Sequence, residues 1–472
     1  MNRQGGIANL VSEYYGARIR SGFYREGDSL PSISKLCALF RMAPATVRSG
    51  LAQLERQGYI RIDAHRPAKV IFSVDPEVQM RDTVQYFLAR RAGIQDLRDN
   101  GSLFWDPILE SGLQRWDDSD WTLLFQRLTA PSPGALSMPM RFHLAALDAL
   151  DNNLILNLFW EQIQYLRFPF LTAAKPQEPL LSFPDISTAK REEVILQLWP
   201  HFQSAFDASL ERLRIFLERE GAGVTLPEGG DIPFQWNIYH QRPQLCYSLV
   251  AKIIQQIGGG ALKPDALLPS LPNMAKQYGV SVSTVRRTVS ILNSLGMTQS
   301  HQGKRARVRE TPGPVDFTRP EIREGLRLYL EGLQLLALTI RPAILFTLEH
   351  TPEEERLSLR RAFSTSLDSG ESQYAFELCL AFVQSHCPSP MVRECYGKLR
   401  ELLAWGYPPT LHRLRTQSLN ANYRPLTRRA AEHLLQEDYG AFARDCEELM
   451  TYDEQQVRST LGDVLYPAGS PK

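Results

Sequence analysis

The hydrophobic positions between residues 245 and 308 predict three helices followed by a hairpin. Leu249, Ile253 and Ile254 are spaced to line one face of a first helix, which the glycines at 258–260 end. A short second helix follows Leu268-Pro269-Ser270. Residues 297–308 then carry strand-like residues on both sides of a basic turn, which predicts a small β-hairpin.

The third helix of this segment has one apolar and one polar face. Its inward stripe recurs at i, i+3, i+4 and i+7 and consists of Val285, Thr288, Val289, Leu292 and Leu295. Ser281 stands where an N-cap belongs. A turn of three to four residues around Gly279 joins the second and third helices, which is the arrangement of a helix-turn-helix.

The same pattern occurs earlier in the chain. Residues 21–70 align with residues 259–308 at a constant offset of 238, without a gap. The turn residues and the apolar positions are both retained. Matching pairs include Pro31 with Pro269, Thr46-Val47-Arg48 with Thr284-Val285-Arg286, Gly58 with Gly296, and Val70 with Val308. We call the two segments copy 1 and copy 2.

Charge is distributed unevenly around these copies. The net charge of the chain is +1, but residues 16–75 carry +5 and residues 245–309 carry +8, which leaves −12 for the rest. Because two basic segments lie in an otherwise acidic chain, we expect only these two segments to bind a polyanion. The most apolar stretch, 328–348, is interrupted by Glu331 and Arg341, so no membrane span is expected. The N-terminus lacks the apolar core of a secretory signal, and the six cysteines lack a metal-ligand spacing, which favours buried thiols in a reducing cytosol.

The motif of copy 2 resembles that of the GntR family of bacterial regulators. It runs Leu268-Pro269-Ser270, then Val280-Ser281-Val282-Ser283-Thr284-Val285-Arg286, then Gly296 and a basic wing at Gly303-Lys304. Each resemblance covers roughly sixty-five residues. It implies a winged helix-turn-helix, a double-stranded operator DNA as partner, and a cytoplasmic, nucleoid-associated regulator that is not an enzyme and needs no cofactor. Family members commonly add a helical effector or dimerisation domain, so a small-molecule effector and a homodimer remain open.

Both copies depart from the family pattern. Ser34 and Pro272 stand where the family often has an arginine, so one habitual DNA contact is missing from both copies. Copy 1 opens its third helix with Ala43-Pro44; proline suits the first helical position, but alanine cannot cap. Copy 2 keeps Ser281 but has Val282 in place of an arginine. We therefore expect copy 2 to bind DNA more strongly. Copy 1 is expected to be specialised or to bind mainly the DNA backbone.

The candidate DNA-binding residues are of two kinds. Small hydroxylated residues at a helix start let the backbone approach phosphates, and arginines beyond them reach a guanine edge or a phosphate. Basic wing residues grip the backbone or the adjoining minor groove. In copy 2 the candidates are Ser270, Ser281, Ser283, Thr284, Arg286, Arg287, Gly303, Lys304, Arg305 and Arg307; in copy 1 they are Ser32, Arg41, Thr46, Arg48, Arg66 and Lys69.

The remaining sequence is rich in helix-forming residues with helical periodicity, for example at 192–199, 202–220 and 326–338. The expected fold is therefore mainly α with small β-wings. Winged helices at 1–78 and 240–312 alternate with all-α effector or packing domains at 79–236 and 313–465. A segment around His143 resembles the helical domain of the FadR-type subgroup, but Pro139 replaces its metal-binding Asp, so His143 is expected to be a packed or capping residue and no metal is expected.

The predicted function is sequence-specific regulation of transcription. The two winged helices of one chain are expected to act as a pseudo-dimer that binds an imperfect palindrome. A plasmid replication initiator also uses two winged helices on one chain and remains an alternative, as does a winged-helix protein-interaction module. An aminotransferase-like fusion is disfavoured because the helical regions lack alternating strand and helix units and a lysine-centred site. No residue is predicted to be catalytic, and the effector-binding residues are unknown.

Overall fold

The computed structural model describes residues 4–20, 22–40, 43–63, 66–73, 75–122, 138–167, 191–221, 230–238, 245–258, 260–301, 304–372, 375–408 and 419–465. The chain forms two compact units. Unit 1 comprises Met1–Gly101, Leu109–Asn152 and Leu156–His240. Unit 2 comprises Ser102–Ile108, Asn153–Ile155 and Gln241–Lys472.

Copy 1 folds as three helices and a two-stranded antiparallel hairpin. These elements are α1 (Gln4–Arg20), α2 (Ile33–Phe40), α3 (Pro44–Arg56), β1 (Ile60–Arg61) and β2 (Lys69–Val70). Ile60 pairs with Val70, and Arg61 pairs with Lys69. A core of Val11, Leu36, Val47, Leu54 and Ile60 lies between the helices and the hairpin because these residues occupy the inward positions of their elements.

Copy 2 repeats this fold at the same offset of 238 residues. Its elements are α10 (Leu245–Gly258), α11 (Leu271–Tyr278), α12 (Val282–Ser294), β3 (Thr298–Gln299) and β4 (Arg307–Val308). The strand register is retained, with Thr298 opposite Val308. The predicted inward stripe of the third helix is confirmed, since Val285, Thr288, Val289, Leu292 and Leu295 are all buried. The winged helix-turn-helix expected from the pattern is therefore present twice.

One turn keeps its conformation although its residue type changes. Gly27 in copy 1 has φ +89°, and the corresponding Asp265 in copy 2 has φ +65°. Aspartate tolerates the left-handed region better than most residues other than glycine. The turn is held by the same bond in both copies, from the Gly27 amide to Val70 O (2.9 Å) and from the Asp265 amide to Val308 O (3.1 Å).

The rest of unit 1 is mainly helical where it is described. The helices are α4 (Pro76–Leu88), α5 (Arg91–Asn100), α6 (Ser102–Gln114), α7 (Met138–Asp148), α8 (Asn153–Tyr165) and α9 (Arg191–Glu220). The first half of α6 (Ser102–Ile108) and the first three residues of α8 (Asn153–Ile155) belong to unit 2. The two helical segments expected at 192–199 and 202–220 are one continuous helix that includes Pro200. The segment 230–238 packs on α8, where the Trp236 indole donates to Asn157 Oδ1 at 2.7 Å.

The helical part of unit 2 is built around one long central helix. The elements are α13 (Pro320–His350), α14 (Glu353–Asp368), α15 (Ala375–His386), α16 (Pro390–Leu403), a 3₁₀ turn (Ala404–Gly406), α17 (Leu419–Leu435) and α18 (Tyr439–Leu465). Helix α13 packs along α18 and against α15 and α16. By length and composition α13 could cross a membrane, but 67% of its most apolar stretch is buried inside the protein, as in the core helix of a globular domain.

The cysteines behave as packing residues in this part of the fold. Cys379, Cys387 and Cys395 are buried, as the sequence predicted. Cys446 is also buried, with its Sγ 3.4 Å from that of Cys379. Burial raises the pKa of the Cys446 thiol, which keeps it neutral and unreactive.

Candidate nucleic-acid interface

The N-terminus of α12 is the most complete of the predicted DNA-binding elements. Ser281 caps the helix, with its Oγ accepting from the Thr284 amide at 3.1 Å. The same oxygen lies 2.7 Å from Ser283 Oγ and 2.8 Å from Thr284 Oγ1. Ser281 and Ser283 are exposed, and Thr284 is half-buried. The helix thus starts with a cluster of hydroxyl groups beside free backbone donors, which suits a phosphate.

Two arginines follow on the exposed side of α12. No residue in the described parts of the chain forms a hydrogen bond or an ion pair with the exposed Arg286. Arg287 is 42% exposed, and its guanidinium lies 3.5 Å from a carboxylate oxygen of Glu321, in the first turn of α13. Arg286 is therefore available to a ligand as it stands, whereas Arg287 already has an ion-pair partner within the protein.

Beneath these arginines the helix is anchored by Thr288 and Cys246. The Thr288 hydroxyl donates to Thr284 O at 3.1 Å and lies 3.4 Å from Cys246 O on α10. Burial raises the pKa of the Cys246 thiol, and the nearby Arg287 lowers it to a smaller extent. A neutral thiol at this point adds packing without adding a charge that would oppose the arginines.

The hairpin of copy 2 presents three cations. Lys304 and Arg305 are exposed at the tip, where the Lys304 amide bonds His301 O at 3.0 Å. Arg307 is exposed on β4, 3.5 Å from a carboxylate oxygen of Asp265. The predicted contact Gly303 lies outside the described residues. The described part of this hairpin therefore exposes positive charge at its tip and on its second strand.

The start of α11 adds another capped helix end. Ser270 is half-buried, and its side chain accepts from the Asn273 amide at 3.4 Å. Its counterpart Ser32 accepts from the Lys35 amide at 3.4 Å, at the start of α2. Both copies therefore place a serine at the N-terminus of the second helix, as the Leu-Pro-Ser motif predicted.

The third helix of copy 1, α3, begins with fewer polar side chains than α12 does. Ala43 occupies the N-cap of α3 without a side-chain hydrogen bond, and Pro44 fills the first turn. Thr46 is only 6% exposed, unlike its half-buried counterpart Thr284. Arg48 is exposed, and so are Arg66 and Lys69 of the hairpin. The predicted contact Arg41 lies outside the described residues.

One set of contacts behind α12 was missed by the sequence reasoning. Arg319, just before α13, donates to Ser290 Oγ at 3.1 Å and to Ser290 O at 3.3 Å, and also bonds Ser294 Oγ. The Asp316 amide bonds Ser294 O at 2.8 Å. The only signal in the sequence was the pair of serines four residues apart on the solvent side of a helix, whose copy 1 equivalents are Ala52 and Arg56.

In the described part of the chain, no group of three or more His, Cys, Asp or Glu residues is placed to hold a metal ion. His143 on α7 is half-buried and stacks on the ring of Phe159, with centroids 6.1 Å apart and an interplanar angle of 16°.

The family comparison matches the two copies. The family model described as bacterial regulatory proteins of the gntR family matches residues 11–70 and 247–308. These segments cover the three helices and the hairpin of each copy, apart from the start of α1 and of α10.

A curated relative is similar over part of the chain. The HTH-type transcriptional repressor NanR of Klebsiella aerogenes is 27% identical over 124 residues, which are 26% of this chain and 48% of NanR. The chain thus spans about half the length of that relative.

Solved structures with some similarity include E. coli McbR/YncC and a GntR family member from Pseudomonas syringae pv. tomato. The first is 20% identical, covers 46% of this chain and 98% of its own, and has a TM-score of 0.25. The second is 13% identical, covers 47% and 89%, and has a TM-score of 0.24.

Proposed function

From the premise that this chain carries two GntR-family winged-helix domains, we propose that it is a bacterial, cytoplasmic regulator of transcription that binds operator DNA. Its nucleic-acid partner is duplex DNA, because a capped helix with exposed polar and basic side chains fits the major groove. Repression, the activity in the name of the NanR relative, is the output that we propose.

The observation that carries the proposal is the N-terminus of α12. Hydroxyl groups, free backbone amides and an unpartnered Arg286 meet there on one exposed surface, and the cationic hairpin belongs to the same small domain. This combination supplies both a phosphate anchor and a base-reading side chain. A protein-interaction module would have no need for this concentration of positive charge at a helix end.

The duplication favours a single-chain pseudo-dimer. Regulators of this type place two recognition helices in two half-sites about one helical turn apart, normally by dimerisation. Here one polypeptide supplies both helices. Because α12 exposes Ser283, Arg286 and Arg287 where α3 has Ala45, Arg48 and Ser49, the two half-sites read by one chain should differ. We therefore propose an imperfect palindrome as the operator.

The helical regions of the two units are the proposed place for regulation. A small-molecule effector that binds one arrangement of these helices better than another would shift the population of DNA-competent molecules. In unit 2, helix α13 would transmit a rearrangement of the helical region to α12, because Glu321 and the preceding Arg319 both contact α12. Association of two chains is compatible with this mechanism but is not required by it.

Selection of binding sites from a random duplex library tests the proposal. The full chain should enrich a site with two unequal half-sites, and a complex with that site should contain one chain per duplex. The chain with Arg286→Ala should lose the preference at one half-site and keep it at the other. A perfectly symmetric site bound by two chains would contradict the pseudo-dimer, and enrichment of a repeated array would favour a replication initiator instead.

A further inference from the structure

A cleft opens in copy 2 between the first helix, α10, and the second helix, α11. Its volume is about 170 Å³. The lining is mainly apolar and includes Ile253, Ala261, Leu262 and Met274, with Gln256 and Tyr278 at its polar side. None of these residues belongs to the surface that we assign to DNA.

Copy 1 has larger side chains at the corresponding positions. At the offset of 238 residues, Ile253, Ala261 and Leu262 correspond to Tyr15, Phe23 and Tyr24. The rings of Tyr15 and Tyr24 lie 5.8 Å apart, and those of Phe23 and Tyr24 lie 5.2 Å apart. The guanidinium of Arg18, the counterpart of Gln256, lies 4.0 Å from the centroid of the Phe23 ring. In copy 1 the buried Tyr15 and the half-buried Tyr24 thus replace smaller residues around this space, while the Phe23 ring packs against Tyr24 and stays 42% exposed.

The size of the cleft is that of one aromatic ring. An apolar cavity of about 150 Å³ is large enough to bind benzene in an engineered protein. The polar side can recognise a hydroxyl group: the Tyr278 hydroxyl lies 3.3 Å from Gln256 Oε1, and the Lys252 ammonium lies 5.3 Å from the centroid of the Tyr278 ring. The two aromatic groups that are buried or half-buried at the equivalent place in copy 1, Tyr15 and Tyr24, are likewise phenols.

We propose that this cleft is a binding site for a small single-ring aromatic compound, preferably one with a phenolic hydroxyl. The site belongs to winged-helix copy 2 itself. It takes a free ligand in the place where copy 1 holds its own aromatic side chains. Binding here does not depend on the proposed regulatory function, because the site is separate from the DNA-binding residues.

The cleft is nevertheless well placed to affect DNA binding. Leu268 and Pro269 line it and directly precede Ser270, the cap of α11. The Leu268 amide bonds Ala306 O at 2.8 Å, next to Arg305 and Arg307 of the hairpin. A ligand in the cleft therefore contacts the segment that directly precedes the second helix and is hydrogen-bonded to the wing. In copy 1 the same segment is bonded in the same way, from the Leu30 amide to Ala68 O at 2.8 Å.

The probe for the test is p-cresol, which is the tyrosine side chain without its backbone. The full chain is labelled with ¹³C at the methionine methyl groups, and p-cresol is titrated while the Met274 signal is followed by NMR. The other eight of the nine methionines serve as internal references. We expect a saturable shift of the Met274 methyl with half-saturation at roughly 1 mM, since a ligand of this size gains little binding energy in total.

Three variants test whether the Met274 shift arises from binding in the cleft. Ala261→Phe and Leu262→Tyr each introduce the residue that copy 1 has at that position, so both should fold and both should weaken p-cresol binding at least about tenfold. Lys263→Phe adds the same bulk at an exposed position next to the cleft that does not line it, and it should leave binding unchanged. Absence of a saturable Met274 shift in the wild type would overturn the proposal. So would a shift that persists in both filled variants.

Discussion

Arg287 of the recognition helix and Glu321 of the long central helix form an ion pair at 3.5 Å. The residue that corresponds to Arg287 in copy 1 is Ser49, so this pairing has no equivalent there. One of the two arginines expected to meet DNA in copy 2 is thus held by the helical part of the same unit. A carboxylate in this place competes with phosphate for the same guanidinium.

Removal of the carboxylate should strengthen DNA binding. Glu321→Gln frees Arg287 and deletes a negative charge beside the DNA-binding surface. Because exposed ion pairs contribute about 0–1 kcal/mol, we expect a gain in affinity of about two- to fivefold at low salt. The measurement is fluorescence anisotropy with a labelled operator duplex.

Glu324→Gln is the matched control for this variant. Glu324 lies one turn further along α13 and pairs with Arg327 at 2.8 Å, not with the recognition helix. It should change the affinity less than Glu321→Gln does. A loss of affinity in Glu321→Gln would show that the pair positions Arg287 for DNA instead of competing with it.

The two copies should contribute unequally to affinity. Arg286→Ala removes an exposed arginine from a capped helix, and the loss should be about 1–3 kcal/mol if it contacts a base. Arg48→Ala removes the counterpart from the uncapped α3 and should cost less. Titration of both variants on the selected operator compares them directly, and equal losses would refute the ranking of the copies.

The caps of the two recognition helices should differ in their effect on local stability. Ser281→Ala removes the bond to the Thr284 amide and should lower the local stability of α12 by about 1 kcal/mol. Ala43→Ser is the reciprocal change and should raise that of α3. Hydrogen exchange of the amides in each helix reports local opening and suits a chain of two units. Slower exchange of the α12 amides after Ser281→Ala would contradict the stabilising role assigned to this cap.

The pH dependence of stability should reflect Glu331, which is buried on α13. Burial is the largest effect and raises the pKa of its carboxyl group. Arg327, at 3.3 Å, and the hydrogen bond from Asn153 lower this pKa to a smaller extent, and the nearby Glu324 raises it. A carboxyl whose pKa is higher in the folded than in the unfolded state binds its proton more tightly when folded. Stability is therefore lost as the pH rises from about 4.5 through the folded pKa.

Glu331→Gln should flatten this dependence, because glutamine does not ionise. Urea unfolding of unit 2 at pH 5 and pH 8 should give a smaller difference in midpoint for the variant than for the wild type. Glu349→Gln on the same helix is the control, since its carboxylate is exposed. An equal pH dependence in the wild type and in Glu331→Gln would contradict the assignment.

The duplicated fold could be predicted because one physical pattern occurs twice. Helical periodicity, a Leu-Pro-Ser turn and a glycine before the hairpin recur at a fixed spacing, and the structure has the same strand register in both copies. The basic composition of both copies and the position of the Ser281 cap were also readable from the sequence. These features are local, so they need no knowledge of which distant residues meet.

The rest of the candidate site depends on distant contacts that no local pattern encodes. Nothing near Arg287 in the sequence indicates Glu321 as its partner, and nothing near Ser290 indicates Arg319. The burial of Thr46 likewise follows from packing and not from its position in the motif. The cleft of copy 2 likewise depends on how the side chains of α10 and α11 pack against each other, which the sequence pattern does not specify.

The most direct test of the account is the salt dependence of DNA binding by the full chain. Titration of a labelled duplex at several salt concentrations should show strong binding at low ionic strength, with the logarithm of the affinity falling linearly against the logarithm of the salt concentration. Lys304→Ala, which removes one exposed wing cation, should reduce that slope by about 1. Absence of duplex binding at low ionic strength, or an affinity that does not change with salt, would contradict the claim that these two basic winged helices bind DNA.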